Sequence, residues 1–407
     1  MRGIMRVALL GWAASLLLTA SCAGPGAELP GTESSTGMAL GDLKAIASWR
    51  SPRLADDLPL AGLLEAVQAS AGYYGKQKPA KVYRFGRAVY SADDLRKSLE
   101  EFIAIVQKTP EEAERARALK KAFRLYRGGG KKKEVLVTGY YEPVIYGSRL
   151  PGIDNKVPIY GLPRDMITAD LGAFSPELKG KRIVGRYQNG TLVPYYSRYE
   201  IDRLKVLGGR GYELAWVEDP VEVFFLQIQG SGRLVMPDGS TMSLGYAGTN
   251  GMPYRSIGKL MMDMGKIPEN GMSSQAVKEY LRAHPEDLES TLDYNERYVF
   301  FQQVSRGPVG SIGVVLTPER SLATDAGAYP PGALAYLETE IPVLGKDGRP
   351  VAWKKISRFV VNQDTGGAIQ GPARVDLFWG SGEEVGRIAG CMKQTGRLWF
   401  LAPRTDK

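Results

Sequence analysis

The sequence predicts a mainly β protein behind an N-terminal helical block, and three observations predict it. From Glu134 onward, short apolar runs are punctuated by Gly and Pro: VLVTGYY (135–141), EVFFLQIQGSG (222–232), SIGVVL (311–316) and RFVVNQD (358–364). Short strands separated by such turns read as a barrel or a sandwich. Before them, Leu95, Leu99, Phe102, Ile103 and Val106 recur at helical spacing. At 407 residues and 43% hydrophobic content, the chain is long enough for two domains with their own cores.

At the N-terminus, Arg2 and Arg6 precede an apolar run over 7–18, followed by small residues up to Cys22. This pattern predicts a secretory signal over 1–21, too short to span a membrane. A cysteine behind small residues resembles the bacterial lipobox, in which Cys22 becomes the lipidated first residue. Thr19 stands where that motif usually has Leu, and an ordinary signal peptide is the alternative. Ala23 rather than Asp after the cysteine implies sorting to the outer membrane. The expectation is an outer-membrane lipoprotein of a Gram-negative bacterium, facing the periplasm and held by lipid on Cys22. Residues 22–44, rich in Gly, Pro, Ser and Thr, read as a tether.

The helical block follows. Ser91 and Asp94 predict an N-cap with an acid three residues on. Thr109-Pro110-Glu111-Glu112 predicts a second helix running to Tyr126 and stopping at Gly128-Gly129-Gly130. A helical interlude over 273–292 interrupts the β-rich part.

The balance of 53 Lys+Arg against 44 Asp+Glu, a net +9, suits nucleic acid, anionic lipid or an acidic wall polymer alike. No basic run is interleaved with aromatics as single-strand binders require, so no nucleic-acid partner is expected. No GxGxxG or P-loop precedes a helix, which leaves nucleotide binding unsupported. With Cys22 lipidated, Cys391 has no partner, and His284 is the single histidine. Ser–His and Cys–His machinery and a zinc site are therefore not expected. Neither a metal nor a cofactor is called for, and activity is expected to survive chelators. Carboxylates remain.

Asp364-Thr365-Gly366 spells the aspartic-protease tripeptide, but polar Asn362-Gln363 precede it and no second copy exists. Glycosidic-bond cleavage needs instead an acid to protonate the leaving oxygen. Asp376, twelve positions later, alternates with apolar neighbours in VDLFW, where desolvation raises a carboxyl's proton affinity. The competing reading makes Asp364 and Asp376 turn caps around a Gly-rich loop.

The C-terminal segment resembles the 3D domain, named for three aspartates, of the membrane-bound lytic murein transglycosylase A family, glycoside hydrolase family 102. Asp325 in ATDAGAYPPG, Asp364 in QDTGGAIQG and Asp376 in ARVDLFWG carry the likeness, with the closing AGCMKQTGRLWFLAP. Upstream, TGYYEP (138–143), PYYSRYEI (194–201), FFLQIQGSGRL (224–234), GYAGTNGMPYRSIG (245–258) and NERYVFF (295–301) resemble family signatures in the same order. The match runs from about residue 45 to the end, with one extra tyrosine at Tyr195-Tyr196.

The resemblance implies a double-psi β-barrel with N-terminal helices over 45–145 and 305–407, the 3D segment being about 305–407. It implies a smaller β-rich domain inserted at 146–304, with a peptidoglycan strand between the two. Other cell-wall enzymes as partners are left open. The implied chemistry is non-hydrolytic cleavage of the β-1,4 bond between N-acetylmuramic acid and N-acetylglucosamine, giving a 1,6-anhydromuramoyl end. Asp376 matches the family's single catalytic aspartate, first acid and then base. Asp364 is expected to orient it or to stabilise developing charge, and Asp325 to shape the barrel floor. Thr138, Tyr141, Gln227, Gln229 and Ser231 are expected to hydrogen-bond sugar groups, and Tyr140 and Trp379 to stack on them. A peptidoglycan-binding lipoprotein without turnover and a lysozyme-like hydrolase are the rival functions.

Overall fold

The computed structural model describes residues 43–47, 50–346, 348–367 and 369–404. The expected signal peptide, Cys22 and the tether up to residue 42 lie outside them. Leu43 is already buried, and Lys44–Ala45 pairs with the strand Phe123–Arg127.

Two helices, Ala61–Gly75 and Ala92–Lys108, form the N-terminal layer. The second begins as its sequence predicts. Ser91 Oγ accepts from the Asp94 amide at 3.1 Å, and Asp94 accepts from the Ser91 amide at 2.9 Å. Its stripe of Leu95, Leu99, Phe102 and Val106 is buried against the barrel core. A third helix, Glu112–Ala122, corrects the sequence reading at both ends. Glu111 caps it through the Glu114 amide, and it stops at Ala122. Phe123–Arg127 is a strand, because pairing with Lys393–Pro403 buries Phe123 and Leu125 and overrides local helix preference.

Six strands close into a barrel in the order Val135–Glu142, Lys393–Pro403, Leu334–Leu344, Pro350–Thr365, Ser321–Thr324, Arg374–Ser381 and back to Val135–Glu142. Two of the pairings are parallel: Val135–Glu142 with Arg374–Ser381, and Ser321–Thr324 with Pro350–Thr365. This closed sheet is the expected barrel. Two ion pairs fasten the segment ahead of the first helix to it. Asp56 meets Arg320 at 2.7 and 2.9 Å, and Asp57 meets Arg358 at 2.7 and 2.9 Å.

Between Glu142 and Ser321 the chain leaves the barrel. It builds a six-stranded sheet in the order Val299–Val304, Thr241–Thr249, Gly232–Val235, Val144–Ser148, Glu213–Val217, Val157–Tyr160, and a three-stranded sheet over 166–194. Its core is separate, centred on Ile145, Leu226, Leu234, Leu244 and Phe301. Two sequence readings are corrected around this part. EVFFLQIQ is not a strand but most of the helix Pro220–Gln229, capped by Asp219, opened by Pro220 and ended by Gly230 at φ +75°. Every residue from Val223 to Gln229 is buried, and a short apolar run buried all round has no period to distinguish helix from strand. SIGVVL, on the return to the barrel, forms turns with one isolated bridge, Val309 to Val315. The helical interlude is two helices, Ser274–Ala283 and Pro285–Tyr294, broken at Pro285.

Candidate active site

Period-2 alternation sorts the strand Arg374–Ser381 into two faces. Val375, Leu377 and Trp379 enter the main core, while Arg374, Asp376 and Phe378 point the other way. The parallel partner strand presents Thr138 opposite Asp376 and Tyr140 opposite Phe378. On the other side, Ala323 pairs with both Asp376 and Asp364. Asp364, Ala323, Asp376 and Thr138 thus form one row across four adjacent strands, and two strand spacings separate the aspartates by about 10 Å at Cα.

Asp376 is fully buried, and its two oxygens differ. Oδ1 accepts a short hydrogen bond from the Thr138 hydroxyl and a second from Arg374 Nε at 3.3 Å. Arg374 Nη2 lies 3.4 Å from the same hydroxyl. Oδ2 has no hydrogen-bond partner among the described residues. Burial pushes this carboxyl above the ordinary carboxylate range, opposed by the Arg374 charge and the Thr138 bond, and burial wins. With both donors on Oδ1, the proton of the acid form belongs on Oδ2.

Asp364 is equally buried but saturated. Oδ1 accepts from the amides of Ser311 at 2.9 Å and Thr365 at 2.8 Å, and Oδ2 accepts from the Tyr140 hydroxyl at 3.0 Å. Asp325 sits half-buried outside this row. It accepts from the Gly327 and Gly371 amides and so ties its own turn to the loop before Arg374. That is a turn cap with a brace.

Two expected sugar platforms are corrected. The Tyr140 ring is buried against Phe378 with centroids 5.2 Å apart, and its hydroxyl is spent on Asp364. Trp379, an odd number of positions from Asp376, falls on the core face, where its indole N–H donates to Met392 sulfur. The remaining polar candidates belong to the inserted part or its contact with the barrel. Gln229, buried in the last turn of Pro220–Gln229, accepts from the Tyr141 amide at 3.4 Å. Tyr141 is half-buried against Gly386, its phenol pushed up by burial and then by Glu222 and Glu383. Gln227 is buried beside the Tyr298 phenol, and Ser231 lies in the turn after the helix. The structure therefore brings Thr138 to Asp376, Tyr140 to Asp364 and Gln229 to Tyr141.

Three residues near the row were not singled out from sequence. Arg374 stands two positions before Asp376, where alternation alone puts both on one face. From the inserted part, Tyr254 lies within the field of Arg374, its phenol raised by burial to about 12, and Arg297 approaches Gly367.

The row across the barrel thus holds a buried carboxyl, Asp376, with one oxygen unpartnered among the described residues, beside a large β-rich insertion. Residues 136–302 match the family model of the MltA specific insert domain, and residues 320–402 match that of the 3D domain. The membrane-bound lytic murein transglycosylase A of Vibrio cholerae is 33% identical over 277 residues, 67% of either chain. A solved membrane-bound lytic murein transglycosylase from Agrobacterium tumefaciens superposes with TM-score 0.72 at 28% identity, covering 89% of this chain and 98% of that one. MltA from Neisseria gonorrhoeae gives 0.68 at 31% identity, with coverages of 90% and 93%. The chain belongs to the membrane-bound lytic murein transglycosylase A family.

Proposed function

We propose that this protein is a peptidoglycan lytic transglycosylase in which Asp376 alone moves the proton, cleaving the β-1,4 bond from N-acetylmuramic acid to N-acetylglucosamine. The Oδ2 proton passes to the glycosidic oxygen as the C1–O bond breaks, releasing N-acetylglucosamine with a new hydroxyl. The muramoyl C6 oxygen then closes on C1 and returns its proton to Oδ2. No water is consumed, and the product is a 1,6-anhydromuramoyl end.

The inequality of the two carboxylates carries this reading. A hydrolase needs a second carboxylate to activate water or to attack C1. Asp364, with three donors on its two oxygens, is poorly suited to either task. An internal nucleophile removes the need for it. A glycan bound by one relative also supports the reading: Escherichia coli MltA, solved with bound chitohexaose, superposes with TM-score 0.66 at 25% identity.

Mass spectrometry of sacculi digested with the protein tests it. Products lighter by one water than hydrolysis products are expected, and Asp376→Asn, which fills the same volume, should lower their release by at least about 10⁴-fold. Reducing ends would identify a hydrolase instead. Binding to sacculi without soluble product would identify a binding protein.

The division that accompanies this proposal is a signal peptide over 1–21, a tether over 22–44, a barrel over 45–145 and 305–407, and an insertion over 146–304. The pairing of Val144–Ser148 inside the inserted sheet supports a first crossing close to that boundary. Lipid on Cys22 would hold the protein at the outer membrane. No helix among the described residues is long and apolar enough to cross a membrane. Cys22→Ser should move the protein to the soluble periplasmic fraction, and unchanged membrane association would refute the anchor.

A further inference from the structure

We infer that Arg374 is the positioning residue of Asp376: with Thr138 it clamps Oδ1, so that Oδ2 alone exchanges the proton. The inference rests on the reading of Asp376 as the acid, and its basis is geometric. Arg374 Nε donates to Oδ1 at 3.3 Å, and Nη2 reaches the Thr138 hydroxyl, itself bonded to Oδ1. One planar guanidinium thereby bonds both the carboxyl and the hydroxyl that holds it, and its side chain is 10% exposed. A lysine at this position would keep the charge but present one ammonium in place of the fork.

The groups that face Asp376 come from each neighbouring element. Its own strand supplies Arg374, and Val135–Glu142 supplies Thr138 and, one row further, Tyr140. Asp364 stands across Ala323 on Pro350–Thr365, with its oxygens engaged elsewhere. The inserted part contributes Tyr254 near Arg374, and Arg297 near Gly367. Arg374 is the charged group in direct contact with the carboxylate.

Two consequences separate this role from a merely structural one. The guanidinium favours the carboxylate, so without it Asp376 keeps its proton to higher pH. Without the clamp the carboxyl rotates, and turnover suffers while glycan binding does not. The experiment measures kcat and KM against pH on sacculi for the wild type, R374Q and R374K, each checked by thermal melt. For R374Q the alkaline limb of kcat/KM should move up by about one pH unit or more. In both variants kcat should fall on the order of tenfold to a hundredfold with KM held. R374K should keep the wild-type alkaline limb.

A folded R374Q whose profile superposes on the wild type overturns the inference, as does R374K with wild-type kcat. If R374Q does not fold, R374K decides alone: reduced kcat with unchanged KM and alkaline limb supports the clamp, and unchanged kcat overturns it. Failure of the underlying reading looks different, since then the wild type yields no anhydro product or D376N remains active.

Discussion

Asp364 and Asp376 stand in one register row two strands apart, with the methyl group of Ala323 between them. Asp364 pairs with Ala323 through a parallel ladder and Asp376 through an antiparallel one, and their side chains differ as well. Asp364 gathers two amides and a phenol, whereas Asp376 has a hydroxyl and a guanidinium on one oxygen and no partner among the described residues on the other. A small residue between them leaves the carboxyls on separate networks, one held by three donors and the other with an oxygen unpartnered among the described residues.

The first prediction concerns pH. Burial raises the proton affinity of Asp376 on folding, so the folded protein holds this proton where the unfolded chain has lost it. The stability that the protonated carboxyl contributes is complete below the unfolded value and is lost as pH rises through the folded one. Asp376→Asn does not titrate. Its melting temperature should match the wild type in acid and exceed it increasingly as pH rises across that window. A constant difference from acid to neutral pH would contradict burial as the dominant influence.

Asp364 and Tyr140 should report on stability. Asp364→Ala removes the buried acceptor of the Ser311 amide and of the Tyr140 hydroxyl, a cost of about 3 kcal/mol or more by denaturant unfolding. Tyr140→Phe removes one of those donors and should cost about 1–2 kcal/mol with KM unchanged. A raised KM in a stable Tyr140→Phe protein would restore a sugar-contacting role to this residue.

The clasp ahead of the first helix should be worth more than a surface ion pair. The side chains of Asp56 and Arg320 are each 2% exposed and meet through two hydrogen bonds. Asp56→Ala strands a buried guanidinium and should destabilise the protein by about 3–5 kcal/mol. A loss below about 1 kcal/mol in denaturant titration would mean that the segment peels away from the barrel at little cost.

Much of this architecture was legible in the residues, and the misses have physical causes. The Ser91–Asp94 capping box and the Leu95-to-Val106 stripe are local signals, and local signals survive folding. The three aspartates stand out in the sequence because each sits in a long motif. Residues 222–229 were misread because a helix buried on all sides has no polar face, although Asp219, Pro220 and Gly230 already marked its ends. The strand Phe123–Arg127 was absorbed into a helix because its pairing partner lies far along the chain. Trp379 was given a sugar although three positions from Asp376 on a strand is the opposite face, and Arg374 was passed over although two positions is the same face.

The Thr138–Asp376 contact joins residues 238 positions apart and closes a parallel pair of strands. A chain growing from its N-terminus has the hydroxyl early and lacks the carboxyl until 238 further residues have been added. Pairing at such separation forms late, because the intervening loop entropy must first be overcome. The strand Lys393–Pro403, which joins Val135–Glu142 to the rest of the sheet, comes later still. A nascent fragment that ends before Asp376 lacks the partner of Thr138, so the proposed acid joins the row only after Ser321–Thr324 and Pro350–Thr365 have both been made.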